Sequence, residues 1–503
     1  MIGTNCAPSD DELHDIRRLL AGLREELSLV ADEVRSSGRR APVPDIRTIE
    51  LAEYIQGLEA LVSPARTLFP ELLSEIFIFC LSGWDIGQVS SLHADKAPLV
   101  LTQICSGWRN VAISTPQLWS KIALHLYFDD VRPTLWIRMM EKHASALQTW
   151  LERAGNLPLY VRINYTDVTH SSTRYFDDWS PAAANVVSKL VPHRFHWKDI
   201  RIEMPSYCLA PIFETQQSPS PLLESLAIMD WMWAQNRPVP RLSTFKLGET
   251  IRLRRCALTI PEFVLESLDF PWVQLRELNI GARDSSGLSI GCALRALQRC
   301  PNLKRFMFAV SNGGGRAPDS IVEASQLKRL HIRPVTTQAS NFLGAVNLPR
   351  LRKLIVQNYW NEQELLSFFA RGVHLLEELV FKDAYDDLRD DELIGYLQYL
   401  PSLKRLSTSR TGTAVFLALT PSDSGDGSPS CLCPHLEFLD IKHIFSVEGL
   451  SEMVELRWQG GQSDSMSQLK HVRLSFHDEA QAMVEVLNRL RKCCDEGLNL
   501  EWT

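Results

Sequence analysis

The chain has 503 residues, 45% apolar and 22% charged, values of a folded globular protein that leave little room for extended disorder. A formal net charge of -7 supplies no general field for nucleic acid or an anionic membrane, so neither is expected as a partner. The N-terminus MIGTNCAPSDDELHD is acidic where a secretory signal needs a basic start, and no apolar run reaches the ~18 residues of a membrane span. The sequence therefore reads as cytoplasmic or nuclear.

Residues 1–62 read as a helical arm. Leu13, Ile16, Leu20, Leu23, Leu27, Val30 and Val34 alternate steps of three and four, which is a heptad seam. The Gly and Pro residues of 36–45 break it, and a second helix follows with Leu51, Ile55, Leu58 and Val62 on one face. So short a seam pairs with the next helix as a hairpin, zips to a second copy of the chain as a homodimer, or lies on the body of the protein; the hairpin is expected.

Residues 63–122 read as a small helical module. Pro70 fits a first helical turn, and Leu72, Leu73, Ile76, Phe77 and Cys80 recur on one apolar face. A polar insert over 82–97 leads to a second helix carrying Leu101, Ile104, Cys105, Trp108, Val111 and Ala112. After a turn at Thr115 and Pro116 come Leu118 and Trp119. A module this small cannot bury such a set alone and must press part of it against something else.

In these residues the sequence resembles the F-box. The family pattern, roughly L-P-x-E and a hydrophobic residue, a helix, a connector, V-C-x-x-W and L-W, is matched by Leu68, Pro70, Glu71, Leu72, Ile76 and Phe77, then Ile104, Cys105, Trp108 and Arg109, then Leu118 and Trp119. Phe69 stands in place of the first proline. From the N-terminal arm onward the chain looks like the F-box-like proteins of mushroom-forming fungi. The resemblance implies a Skp-type adaptor as partner, and through it a cullin scaffold. It implies adaptor contacts at Leu68, Pro70, Leu72, Ile76, Phe77, Ile104, Cys105, Trp108, Leu118 and Trp119.

A linker helix is expected within 123–156, and 157–503 reads as a repeat array. The hexad L-x-x-L-x-L recurs, with Phe, Ile or Val replacements, at 223, 242, 275, 303, 327, 351, 376, 403, 436 and 469, the period of a leucine-rich repeat solenoid. Residues 157–165 and 197–204 alternate like strands and read as degenerate first repeats. Helices are expected at 293–303, 364–376 and 392–403, and a last amphipathic helix reads as the end cap. The fold class is thus α+β to α/β: a helical arm, an all-helical module, then a solenoid with a parallel sheet on its concave face.

In each hexad the third and fifth positions point out of the sheet. The third positions include Arg305, Arg329, Lys353 and Arg405, and His331 is a fifth position. These five are the candidate target-binding residues. A lane of cations ~4.8 Å apart invites an acidic or phosphorylated peptide; the alternative is a solvated row neutralised by neighbouring Glu and Asp.

Nothing in the sequence points to a cofactor. Cys431/Cys433 and Cys493/Cys494 lack a second half for a zinc site, and the 11 cysteines are expected to be reduced and mostly buried. The glycine run 311–318 lacks the Lys-Ser or Lys-Thr of a P-loop. The insertion 420–434 contains DSGDGS, similar to a phosphodegron through Ser424 and Ser428. No G-x-S-x-G or H-E-x-x-H occurs. The expected function is a non-catalytic substrate receptor of a Skp–cullin–F-box ubiquitin ligase, the alternative a protein-interaction scaffold that no longer assembles a ligase.

Overall fold

The computed structural model describes residues 8–36, 46–66, 68–81, 92–128, 133–167, 176–214, 220–229, 250–259, 265, 269–281, 287–310, 321–334, 342–358, 360–382, 388–423, 429–444, 447–460, 466–475 and 480–502. The hexad at 242, the glycine run 311–318, and Ser424 and Ser428 lie outside the described residues. Two compact units are present, Met1–His125 with Ser145–Arg162, and Leu126–Ala144 with Ile163–Thr503.

In the first unit α1 (Asp10–Ser36) and α2 (Ile46–Leu61) form a helical hairpin. Ser9 and Glu12 start α1 with a reciprocal capping box, the Ser9 amide donating to the Glu12 carboxylate at 2.8 Å and the Glu12 amide to the Ser9 hydroxyl at 3.4 Å. Leu20, Ile55, Leu58 and Leu61 are buried, with Ile16, Leu23, Leu27, Leu51 and Val62 packed around them. The heptad seam is thus filled by the next helix. Arg47 pairs with Glu26 across the hairpin at 3.0 Å.

The module continues with α3 (Pro70–Phe79), α4 (Leu101–Ile104) and α5 (Ser106–Ile113). The single helix expected after the insert is two, because Cys105 adopts an extended backbone (φ -158°, ψ 170°) and caps α5. Its Sγ accepts the Trp108 amide at 3.4 Å, satisfying one of the N–H groups that a helix start leaves without an intrahelical partner.

A 14-stranded sheet follows chain order throughout, from Lys121–Phe128 to Asn499–Trp502. Its first strand takes up the start of the span read as linker, with Ile122, Leu124 and Leu126 buried at period two, and the linker helix expected within 123–156 follows as Pro133–Ala154. From Trp197–Glu203 onward every neighbouring pair is parallel and in register, so that equivalent hexad positions stand side by side, as in Arg305 beside Arg329 and Arg329 beside Lys353. Positions one, four and six form the core; Leu351, Leu354 and Val356 are all buried. The strand beside Ser225–Met229 is Arg255–Leu258, a hexad with Cys256 in place of the fourth leucine. The last strand, Asn499–Trp502, follows a turn at Gly497 whose φ of 118° favours glycine, so the C-terminal helix Ala480–Asp495 does not end the array.

Helices Ile290–Arg299, Glu362–Ala370 and Asp390–Leu397 connect strands where the spacing predicts them. All ten described cysteines are free, and six of them are buried. The insertion 420–434 is held at both ends by one buried side chain. Arg457, on helix Val447–Gly460, donates to the carbonyls of Leu419, Leu432 and Cys433 at 2.7, 2.6 and 3.1 Å. Burial pulls its pKa below the usual arginine range, while Cys431 and Cys433 nearby oppose that shift. The three carbonyls that it satisfies make removal costly: Arg457→Leu should destabilise the protein by about 3 kcal/mol or more, and Arg457→Lys should not restore it, since an ammonium lacks the planar fork. Chemical denaturation of the full chain checks this. An unchanged midpoint for Arg457→Leu would contradict the clamp.

Candidate functional site

Helix α3 has two apolar stripes. Leu73 and Phe77 face inward, and the Phe77 ring lies 5.0 Å from that of Trp108 on α5, tilted by 55°. Leu72, Ile76 and Phe79, spaced i, i+4, i+7, lie on the other side with 53%, 45% and 79% of their surface exposed. Phe69, at the helix start, is 69% exposed, and Ile104 on α4 is 57% exposed. Single exposed apolar residues are common on any protein. Large ones at helical spacing on a ten-residue helix make a contiguous apolar surface, the kind that marks an interaction site.

The residues expected to touch an adaptor therefore fall into separate groups. Leu72, Ile76 and Ile104 are exposed apolar residues, with Pro70 exposed beside them. Leu68, Cys105 and Trp108 are half-buried. Phe77, Leu118 and Trp119 are fully buried, which corrects their expected role as direct contacts. The reason lies in their own partners. The Trp119 indole N–H donates to the Ala112 carbonyl at 2.8 Å, its ring meets Trp150 edge-on at 5.0 Å, and the Arg153 guanidinium stands 4.3 Å above it. The Leu-Trp pair closes the module from within and frames the exposed stripe.

Phe79 and Phe69 were not read as contacts from the sequence. Phe79 lies seven residues after Leu72, which is the signal that could have found it. With six apolar residues among the ten of PELLSEIFIF, periodicity alone does not say which stripe faces inward.

On the sheet, the expected cation lane is neutralised in part by its neighbours. Arg305 pairs with Glu277 at 3.1 Å, Lys353 with Glu378 at 2.6 Å, and Arg405 stacks over Phe438 at 4.5 Å. Of these four cations, Arg329 alone has neither a carboxylate nor a ring partner among the described residues. His331 Nε2 lies 2.9 Å from the Gln357 side-chain oxygen, and burial pulls its pKa below the usual histidine range, the Gln357 contact opposing. The row thus carries ion pairs at Arg305 and Lys353, a ring contact at Arg405 and neither at Arg329.

No group of three or more His, Cys, Asp or Glu side chains suited to hold a metal ion occurs among the described residues, and no helix there is long and apolar enough to cross a membrane. No family model matches the chain, and no curated protein matches it.

The two stripes should respond oppositely to substitution. Trp119→Ala removes a buried ring and its hydrogen bond and should cost about 3–5 kcal/mol. Leu72→Ser with Ile76→Ser alters exposed positions and should change stability by roughly 0.5 kcal/mol or less per site. Thermal unfolding followed by tryptophan fluorescence separates the cases; a large loss in the Leu72/Ile76 variant would mean that this stripe is packed in the folded protein.

Proposed function

We propose that the chain is a substrate-receptor subunit of a ubiquitin ligase of the Skp–cullin–F-box type. The helical module docks the Skp-type adaptor, the array that follows it in the chain is a leucine-rich repeat solenoid that captures a target protein, and the assembly acts in the cytoplasm or nucleus. The reading rests most heavily on the exposed stripe Leu72, Ile76 and Phe79, carried by a helix whose opposite stripe is already satisfied. Burying a Leu, Ile or Phe side chain is worth about 1.5–3 kcal/mol, so the stripe offers a partner substantial energy that folding has not used. The resemblance of the surrounding residues to the F-box supports a Skp-type adaptor as that partner.

In this reading the chain needs no catalytic residue and no cofactor. It holds a target close to a ubiquitin-charged enzyme, and its contribution to rate is proximity. Phe69 favours a second reading, a scaffold that no longer assembles a ligase: its exposed ring occupies the place of the family's first proline, at the edge of the docking stripe.

Titrating the purified full chain with a purified Skp-type adaptor separates the two. The receptor reading expects tight one-to-one binding, weakened by Leu72→Asp with Ile76→Asp by about 100-fold or more, given ~2 kcal/mol per central apolar anchor. No binding by the unaltered chain would favour the scaffold. Equal binding by the double variant would move the docking surface elsewhere.

A further inference from the structure

Beside the ion-paired lane runs a second row, formed by the second hexad positions. Each of these residues sits where the ladder begins: the Arg276 amide donates to the Arg254 carbonyl at 2.8 Å, Lys304 to Arg276 at 2.8 Å, Lys328 to Lys304 at 2.9 Å and Arg352 to Lys328 at 2.9 Å. Successive side chains in this row are therefore held about 4.8 Å apart at their backbones.

Elsewhere in the row the cations are matched by glutamates. Lys198 lies 3.8 Å from Glu224, Lys404 lies 3.7 Å from Glu377 and Arg352 3.0 Å from the same Glu377, and Lys470 lies 3.2 Å from Glu437. Over Arg254, Arg276, Lys304 and Lys328 the matching stops. These four are exposed and consecutive, and none has a carboxylate partner among the described residues. Arg329, the one unmatched cation of the neighbouring lane, adjoins Lys328 and extends the patch. A protein with net charge -7 thus leaves one basic island uncompensated, within a row that it neutralises on either side.

We propose that this island is a docking site for an extended, Asp- and Glu-rich segment of a partner polypeptide. The four positions span roughly 14 Å, about the length of five residues of extended chain. Carboxylates along it would relieve the mutual repulsion of the row, and the arginines at one end can grip them bidentately. Single-stranded nucleic acid is disfavoured because base stacking needs aromatic platforms, and of the adjoining fifth positions, Ala257, Asn279, Met307 and His331, only His331 carries a ring, part-buried and 2.9 Å from the Gln357 side-chain oxygen. The proposal names the ligand chemistry for the target-capturing surface of the receptor reading, and in that sense rests on it. The adaptor stripe is not involved.

Fluorescence anisotropy of the full chain with a fluorescein-labelled (Glu-Asp)6 peptide tests it. Arg276→Glu, Lys304→Glu and Lys328→Glu together should weaken binding by at least ~30-fold. Lys198→Glu, Lys404→Glu and Lys470→Glu, an equal change of charge outside the island, should weaken it by under ~3-fold. The Leu72/Ile76 variant should bind the peptide as the unaltered chain does, whether or not an adaptor is recognised. No binding by the unaltered chain, equal losses in the two triple variants, or tighter binding of a 12-nucleotide oligouridylate would each overturn the proposal.

Discussion

The in-register parallel ladder is the constraint on which the larger unit depends. Among the described residues, the backbone carbonyl at each second hexad position from Glu224 to Glu437 accepts from two amides of the next repeat, as Lys304 does from Lys328 and Arg329. That contact fixes like positions beside like. From it follows a core of stacked first, fourth and sixth side chains, since no single repeat can cover its own apolar face. It also turns every polar position into a row, where a charge meets the charge of the adjacent repeat at strand spacing. A row of this kind must alternate in sign or bind something that restores the balance. In the third-position row Glu277 and Glu378 flank the run Arg305, Arg329 and Lys353, and in the second-position row glutamates pair with the cations only at the flanks.

The helical module obeys a different constraint. It is too small to hide all of its large apolar residues, and its core is settled by a few contacts: Phe77 on Trp108, the Trp119 indole on the Ala112 carbonyl, and Trp150 against Trp119. Those contacts consume one stripe of α3 and leave the other uncovered. The apolar residues of this module thus serve two ends. Leu118, Trp119 and Phe77 build the platform; Leu72 and Ile76, joined by Phe79, are presented on it.

Much of this was legible in the sequence where one residue type answers to one requirement. The hexads declare the strands because positions one, four and six must be apolar, and the heptad steps of α1 declare a seam. Legibility fails where a residue meets the requirement in an unusual way. Cys256 fills a leucine position and hides a repeat; Cys105, in a run with helical spacing, caps a helix instead of continuing one. It fails as well where the deciding partner is distant in the chain. Which stripe of α3 turns inward depends on Trp108, and whether Lys353 is a free cation depends on Glu378, 25 residues on.

The central claim is that folding leaves the outer stripe of α3 bare for a partner while the Leu-Trp pair is sealed inside. Hydroxyl-radical footprinting of the full chain, with and without a purified Skp-type adaptor, reads both halves residue by residue. The account predicts that Leu72, Ile76 and Phe79 are oxidised in the free protein and protected by the adaptor, while Trp119 resists oxidation in both states despite its reactive indole. Oxidation of Trp119 in the free protein, or adaptor binding that leaves Leu72, Ile76 and Phe79 as reactive as before, would contradict it.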